Sequence, residues 1–256
     1  MKALRRILLG TSAALFILFE AAMFYIIHIS RADTFFNARY LSIIGAAAFA
    51  IVTLIFEMIC AEADDLYATD ILFNPRGGNL IRIAMLFTLV ADYYMVGADE
   101  VDNLKGVTVF LGTQLFIMLH ILVNDKSRAG RTANILSRVL ITALTVAIGY
   151  AVLGEGMDRM ALISVIYYAN LCANAIFAHR SGRGGGMLTV GLILFALCDI
   201  NVGIAGLESI YSDGFREGSL LYWITNTDID LIWLFYIPSQ TLIPLSILLF
   251  NKNAEK

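Results

Sequence analysis

The sequence predicts an all-α, polytopic membrane bundle of eight transmembrane helices. Hydrophobic residues fill 59% of its 256 positions and charged ones only 15%, against roughly 25% charged residues in a soluble domain. The apolar residues gather into eight runs, each close to the about 20 residues that cross a bilayer core. Lys and Arg then segregate between alternate connections, as cytoplasmic retention of positive charge requires.

The first run, 7–29, follows Lys2, Arg5 and Arg6. It exceeds the roughly 7–15 residues of a signal-peptide core, and no small-residue cleavage site follows, so it is expected to be a retained helix. The next runs are 38–60 and 80–97. The segment between them is acidic at Glu62, Asp64, Asp65 and Asp70 and turns at Asn74-Pro75-Arg76-Gly77-Gly78. Runs 104–123, 134–153, 159–178 and 187–206 follow with short connections, and Gly184-Gly185-Gly186 makes a plain turn before the last of these. The segment 207–230 carries Tyr222-Trp223, an aromatic pair suited to the membrane interface. Run 231–250 ends the membrane domain, and no separate soluble domain is expected.

With the N-terminus inside, 13 of the 18 Lys and Arg residues fall on the cytoplasmic side, Arg138 among them. Only an even number of spans yields this bias, so both termini are placed in the cytoplasm. The net charge of −3 comes with no basic patch that could track a phosphate backbone, which argues against nucleic-acid binding. Cys60, Cys172 and Cys198 all lie in apolar runs and read as small buried hydrophobes.

A weak internal repeat runs through the chain. Leu86-Phe87 precedes Asp92, and the next helix carries Phe110-Leu111-Gly112-Thr113-Gln114. Leu194-Phe195 precedes Asp199, and the next long helix carries Tyr236-Ile237-Pro238-Ser239-Gln240. Four spans separate the copies, so the chain reads as two parallel four-helix repeats, an arrangement that places polar sites at the repeat interface.

Asp92 and Asp199 are the informative residues. A carboxylate in hydrocarbon costs roughly 2.5–3.5 kcal/mol and is normally turned toward a cavity or partner. Their helical rise places them roughly 8 and 10 Å below the outer ends of their helices, so they can share one polar centre. Gln114 and Gln240, nearer the middle of the membrane, are candidates for the same centre, though either glutamine alone is ordinarily an interhelical hydrogen-bonding residue. Asn170 and Asn174 share a face of one helix, while Tyr168, Tyr93, Tyr94 and Tyr236 offer hydroxyls. Glu20 and Glu57 are further carboxyls in apolar surroundings. His28, His120 and His179 lie at incompatible depths for a zinc site, and no metal or cofactor is expected.

The order of these motifs resembles the YhhN family of integral membrane lysoplasmalogenases. The family pattern Phe-Ser-x-x-Gly-Asp corresponds to Phe87-Thr88-Leu89-Val90-Ala91-Asp92, and Gly-x-x-Leu-Phe-x-x-Ser-Asp to the segment from Gly191 to Asp199. Tyr-x-x-Ala-Gln-x-Leu-Ile corresponds to the segment from Tyr236 to Ile243, and a family tyrosine to Tyr168. The resemblance spans roughly residues 80–245. It departs where the family carries Phe-x-x-x-His-x-x-Tyr and this chain has Phe110, Gln114 and Ile117. The resemblance implies hydrolysis of the vinyl ether of a lysoplasmalogen to a fatty aldehyde and a glycerophospho-alcohol. Asp92 and Asp199 would then be the acid–base pair. Gln114, Asn170, Asn174, Tyr168, Tyr236 and Gln240 would contact substrate or water. The substrate, a lysophospholipid, would enter from the bilayer, and a bacterial cytoplasmic membrane is the expected location. A transporter or receptor-like binding module, or a non-catalytic lipid-binding relative, is the competing expectation.

Overall fold

Why the chain breaks where it does is visible at the helix starts of the computed structural model, which describes residues 2–30, 38–62, 71–97, 101–207 and 216–250. Asp102 accepts a hydrogen bond from the Lys105 N–H and opens α4 (Asn103–Asn124). Ser127 does the same from Gly130 for α5 (Arg128–Leu153), and Asp158 from Ala161 for α6 (Arg159–Phe177). Each such cap is worth about 1 kcal/mol. The Ser127 cap starts α5 at Arg128 rather than at 134, so Arg131, Asn134 and Arg138 lie within the helix and not in a cytoplasmic connection.

The remaining helices are α1 (Lys2–Tyr25), α2 (Ala38–Glu62), α3 (Asn79–Asp92), α7 (Gly185–Leu207), the short α8 (Leu220–Thr225) and α9 (Leu231–Phe250). Single π-helical turns, Ile26–Ser30 and Tyr93–Gly97, continue α1 and α3. The described residues contain no strand, and eight of the nine helices are long and apolar enough to cross a membrane. The molecule is an integral, multi-pass membrane protein. Trp223, the proposed interfacial anchor, is exposed on α8. The acidic stretch with Asp64, Asp65 and Asp70 lies outside the described residues, as do Arg31, Lys252 and Lys256.

The helices α2, α3, α4, α6, α7 and α9 pack as a closed ring, with α1 against α2 and α9 and α5 against α6. The packing matches the expected repeat in part, because α1–α9 and α3–α9 have no counterpart of similar extent in α5–α4 and α7–α4. Superposing the order α1–α4 on α5, α6, α7 and α9 turns the α1–α2 contact into α5–α6, α2–α3 into α6–α7, and α3–α4 into α7–α9. It also turns α2–α9 into α6–α4, and every one of these is an observed pairing. The most extensive interface, α7–α9, is close because a side chain at Gly191 would meet Ile243 at 2.9 Å. Small residues permit this approach between membrane helices.

Peripheral α5 shows the opposite character. Ile135, Leu136, Val139, Leu140, Leu144, Ile148 and Val152 are all exposed, a surface suited to lipid tails and not to water. Two carboxyls of the sequence reading prove to join helices. Glu57 forms a buried 2.9 Å ion pair with Arg82 across α2 and α3, and Arg82 also donates to the Ala50 carbonyl and to Asn79. Glu20 on α1 accepts from Ser42 on α2.

Candidate functional site: two aspartate–tyrosine pairs on an aromatic wall

Asp92 ends the regular part of α3, where the chain passes into the Tyr93–Gly97 π-helical turn. Such widened turns recur where a helix must present a side chain unusually. The Asp92 carboxyl is buried and accepts a hydrogen bond from the Tyr236 hydroxyl of α9. Asp199, half-buried on α7, accepts one from the Tyr167 hydroxyl of α6 at 2.6 Å. Four helices of the ring thus contribute one polar side chain each.

An aromatic wall joins the pairs. Phe110 lies 5.6 Å from both Tyr167 and Phe195, Phe195 lies 5.4 Å from Tyr236, and Tyr236 lies 5.2 Å from Trp233. Beyond Trp233, Arg39 sits over its ring at 5.5 Å and pairs with Asp230 at 2.8 Å, linking α2 to α9 at the face opposite the N-terminus. Counting rise from that face puts Tyr236, Phe110, Tyr167 and Asp199 in a tier about 8–12 Å deep. The sequence reading placed the aspartates in this band.

The other expected site residues divide differently. Gln114, one turn deeper than Phe110, does not meet either aspartate. Its side-chain oxygen accepts from Asn174 at 2.8 Å, and Asn174 in turn accepts from Arg138 at 2.6 Å. Asn170 accepts from Arg138 at 3.4 Å. These residues form a second, deeper cluster. Gln240 and its neighbour Ser239 are fully buried on α9, and their side-chain polar atoms have no hydrogen-bond partner among the described residues. They lie between Pro238 and Pro244, and a proline within a helix also frees the carbonyl four residues before it. For Pro244 that carbonyl belongs to Gln240.

Tyr168 gives no hydrogen bond to an aspartate; Cys172 lies one turn on along α6. The aspartate partner is the adjacent Tyr167, which the sequence reading passed over. Both are tyrosines in an apolar run, and only the rotation of α6 within the bundle separates them. A signal did exist: Tyr167 falls three residues before Asn170 and seven before Asn174, on the same helical stripe. Tyr93 is exposed and Tyr94 half-buried, so Tyr236 and Tyr167 are the hydroxyls that reach the carboxyls.

The histidines stand apart from both clusters. His28 packs on Phe24, His120 on Phe250, and His179 against the Ile176 carbonyl. Among the described residues no three His, Cys, Asp or Glu side chains gather in a way that could hold a metal ion.

Chemically, the upper tier is a pair of carboxyls, each positioned by a phenol, beside a face of aromatic rings. Paired carboxyls in an enclosed site can divide acid and base roles. Aromatic faces favour a cation. Comparison with family models, curated proteins and solved structures finds no match to this chain.

Proposed function

We propose that the chain is a membrane hydrolase of the lysoplasmalogenase type, acting through Asp92 and Asp199 in a bacterial cytoplasmic membrane. The observation that carries this reading is the convergence of two Asp–Tyr pairs, from four helices, on one aromatic wall. The resemblance of the surrounding motifs to the YhhN family supports it.

The reaction divides into steps that suit these groups. One protonated carboxyl donates its proton to the β-carbon of the vinyl ether, and the double bond's electrons form the new C–H bond. The α-carbon becomes an oxocarbenium ion, which the second carboxylate and the aromatic rings stabilise. Water attacks the α-carbon and gives a proton to that carboxylate, forming a hemiacetal. The hemiacetal then collapses: its hydroxyl proton goes to the first, now ionised, carboxylate, the C–O bond to glycerol breaks, and the second carboxyl gives its proton to the glycerol oxygen, which restores both groups. The products are a fatty aldehyde and a glycerophospho-alcohol. Tyr236 and Tyr167 are positioning residues in this scheme, since each acts through its aspartate.

A second reading has its own observation. The α9 helix carries two internal prolines, with Ser239 and Gln240 buried and unpartnered among the described residues, and such prolines also mark the helices that line transporter sites. Incubating purified protein with a lysoplasmalogen and measuring aldehyde separates the two. Release above a protein-free control supports hydrolysis. No release under conditions where the protein remains folded overturns it and leaves the transport reading.

A further inference from the structure

The deeper cluster contains a buried cation with no counter-ion among the described residues. Arg138 is 6% exposed. It donates from Nε to Asn134 at 2.7 Å, and from its terminal nitrogens to Asn174 at 2.6 Å and Asn170 at 3.4 Å. All three acceptors are neutral amides, and among the described residues no carboxylate pairs with this guanidinium. Arg82 shows what the fold does with a structural buried arginine: it supplies Glu57. An isolated buried cation is strongly unfavourable unless something neutralises it.

The cation also sets the direction of every amide around it. Each asparagine turns its oxygen to Arg138, which leaves its nitrogen facing away. Asn174 passes that polarity on, donating to both the side-chain and backbone oxygens of Gln114. Asn170 spends its nitrogen on the Ile166 carbonyl. What remains are donors: the Asn134 Nδ2 and Gln114 Nε2 amides, both in buried residues and both without an acceptor among the described residues. Arg138 adds to these, because a guanidinium carries five N–H groups and three are engaged. A frame with one positive charge and spare N–H groups is complementary to an oxyanion. Asn170 is half-buried, so the frame opens on that side.

We propose that Arg138, framed by Asn134, Asn170, Asn174 and Gln114, is a binding site for a phosphate-class oxyanion. Inorganic phosphate and the phosphodiester of a lysophospholipid share the recognised chemistry. Asn174 lies two turns, about 10 Å, along α6 from Tyr167, so the site is distinct from the aspartate tier. The proposal stands whether or not that tier hydrolyses lipid.

The test is thermal denaturation of the detergent-solubilised full chain with inorganic phosphate, or with an ester-linked lysophosphatidylethanolamine, which has no vinyl ether to cleave. Wild type should show a saturable rise in Tm of a few degrees with at least one probe, and Arg138→Met should show none. A response to phosphate itself identifies a soluble anion; a response to the lysolipid alone identifies the headgroup. Should Arg138→Met fold poorly, Asn134→Asp provides an independent arm. It keeps the acceptor for Arg138 and adds the missing charge, so it should melt higher than wild type without probe and respond to neither. The site is overturned if wild type responds to neither probe, if Arg138→Met responds equally, or if Asn134→Asp keeps the full response. Aldehyde release is not a readout here, so failure of the hydrolase reading and failure of this one remain separate results.

Discussion

Replacing Tyr167 with phenylalanine removes one oxygen atom and the hydrogen bond it donates to Asp199 at 2.6 Å. Tyr167 is 6% exposed and its ring packs against Phe110, so phenylalanine fits the same space and water does not readily replace the lost donor. A hydrogen bond to a charged group contributes about 1.5–3 kcal/mol, and each 1.36 kcal/mol is tenfold in rate. Tyr167→Phe should therefore lower aldehyde release by about 10- to 150-fold. Tyr168→Phe is the matched control. It removes the same atom one residue along the same helix, from a hydroxyl that gives no hydrogen bond to an aspartate, and should change the rate less than about threefold. Both variants should be assayed in the same detergent, with circular dichroism melts to show equal folding. Comparable rates for the two variants, or a larger loss for Tyr168→Phe, would refute the assignment of Tyr167 as the residue that positions Asp199.

The buried Glu57–Arg82 pair makes a stability prediction: Glu57→Gln leaves Arg82 charged at 6% side-chain exposure and should cost about 3–5 kcal/mol in a detergent melt. Replacing both residues with methionine should recover most of that loss, and a double variant as unstable as the single would contradict it. Gly191→Leu should drive α7 from α9, where even a Cβ would meet Ile243 at 2.9 Å, and lower stability by about 1–3 kcal/mol or more. Asp125, in the connection between α4 and α5, is pushed up by burial, but hydrogen bonds from Arg180 and the Ser127 N–H outweigh this and hold it below its ordinary 3.8. A carboxyl depressed in the folded state contributes stability above its unfolded value and loses it as pH falls through the folded value. Wild type should thus lose stability on acidification below about pH 4, and Asp125→Asn should flatten that part of the profile. A profile unchanged by the substitution would show that Asp125 is not responsible.

How far these sites were legible in the sequence depends on the kind of physics each rests on. Asp92 and Asp199 stood out because a carboxyl in an apolar run is expensive wherever the run packs. The spans followed from length and order alone. Tyr167 was not legible, because choosing it over Tyr168 requires the rotation of α6, and periodicity fixes faces only relative to one another. Arg138 was obscured for a different reason. Counting positive charge by side treats every arginine near a run as a flank, and the run 134–153 begins just before it. The Ser127 cap extends α5 back to Arg128 and carries Arg138 well inside the helix. Glu57 looked like a second lone carboxyl because its partner, Arg82, had been assigned to the opposite end of a connection. Gln114 was grouped with the aspartates on depth, but its hydrogen bond to Asn174 assigns it to the deeper cluster. Side-chain pairing across helices is tertiary information, and each of these residues acquires its role through it.

The central claim is that Asp92 and Asp199 form one site. Its most direct test is a comparison of aldehyde release by Asp92→Asn, Asp199→Asn and the double variant, each shown to be folded. Groups that act as a unit are non-additive, so each single variant should lose at least about 100-fold and the double should be no slower than the slower single. Losses that multiply in the double variant, or a single variant that retains near-wild-type turnover, would contradict a shared site.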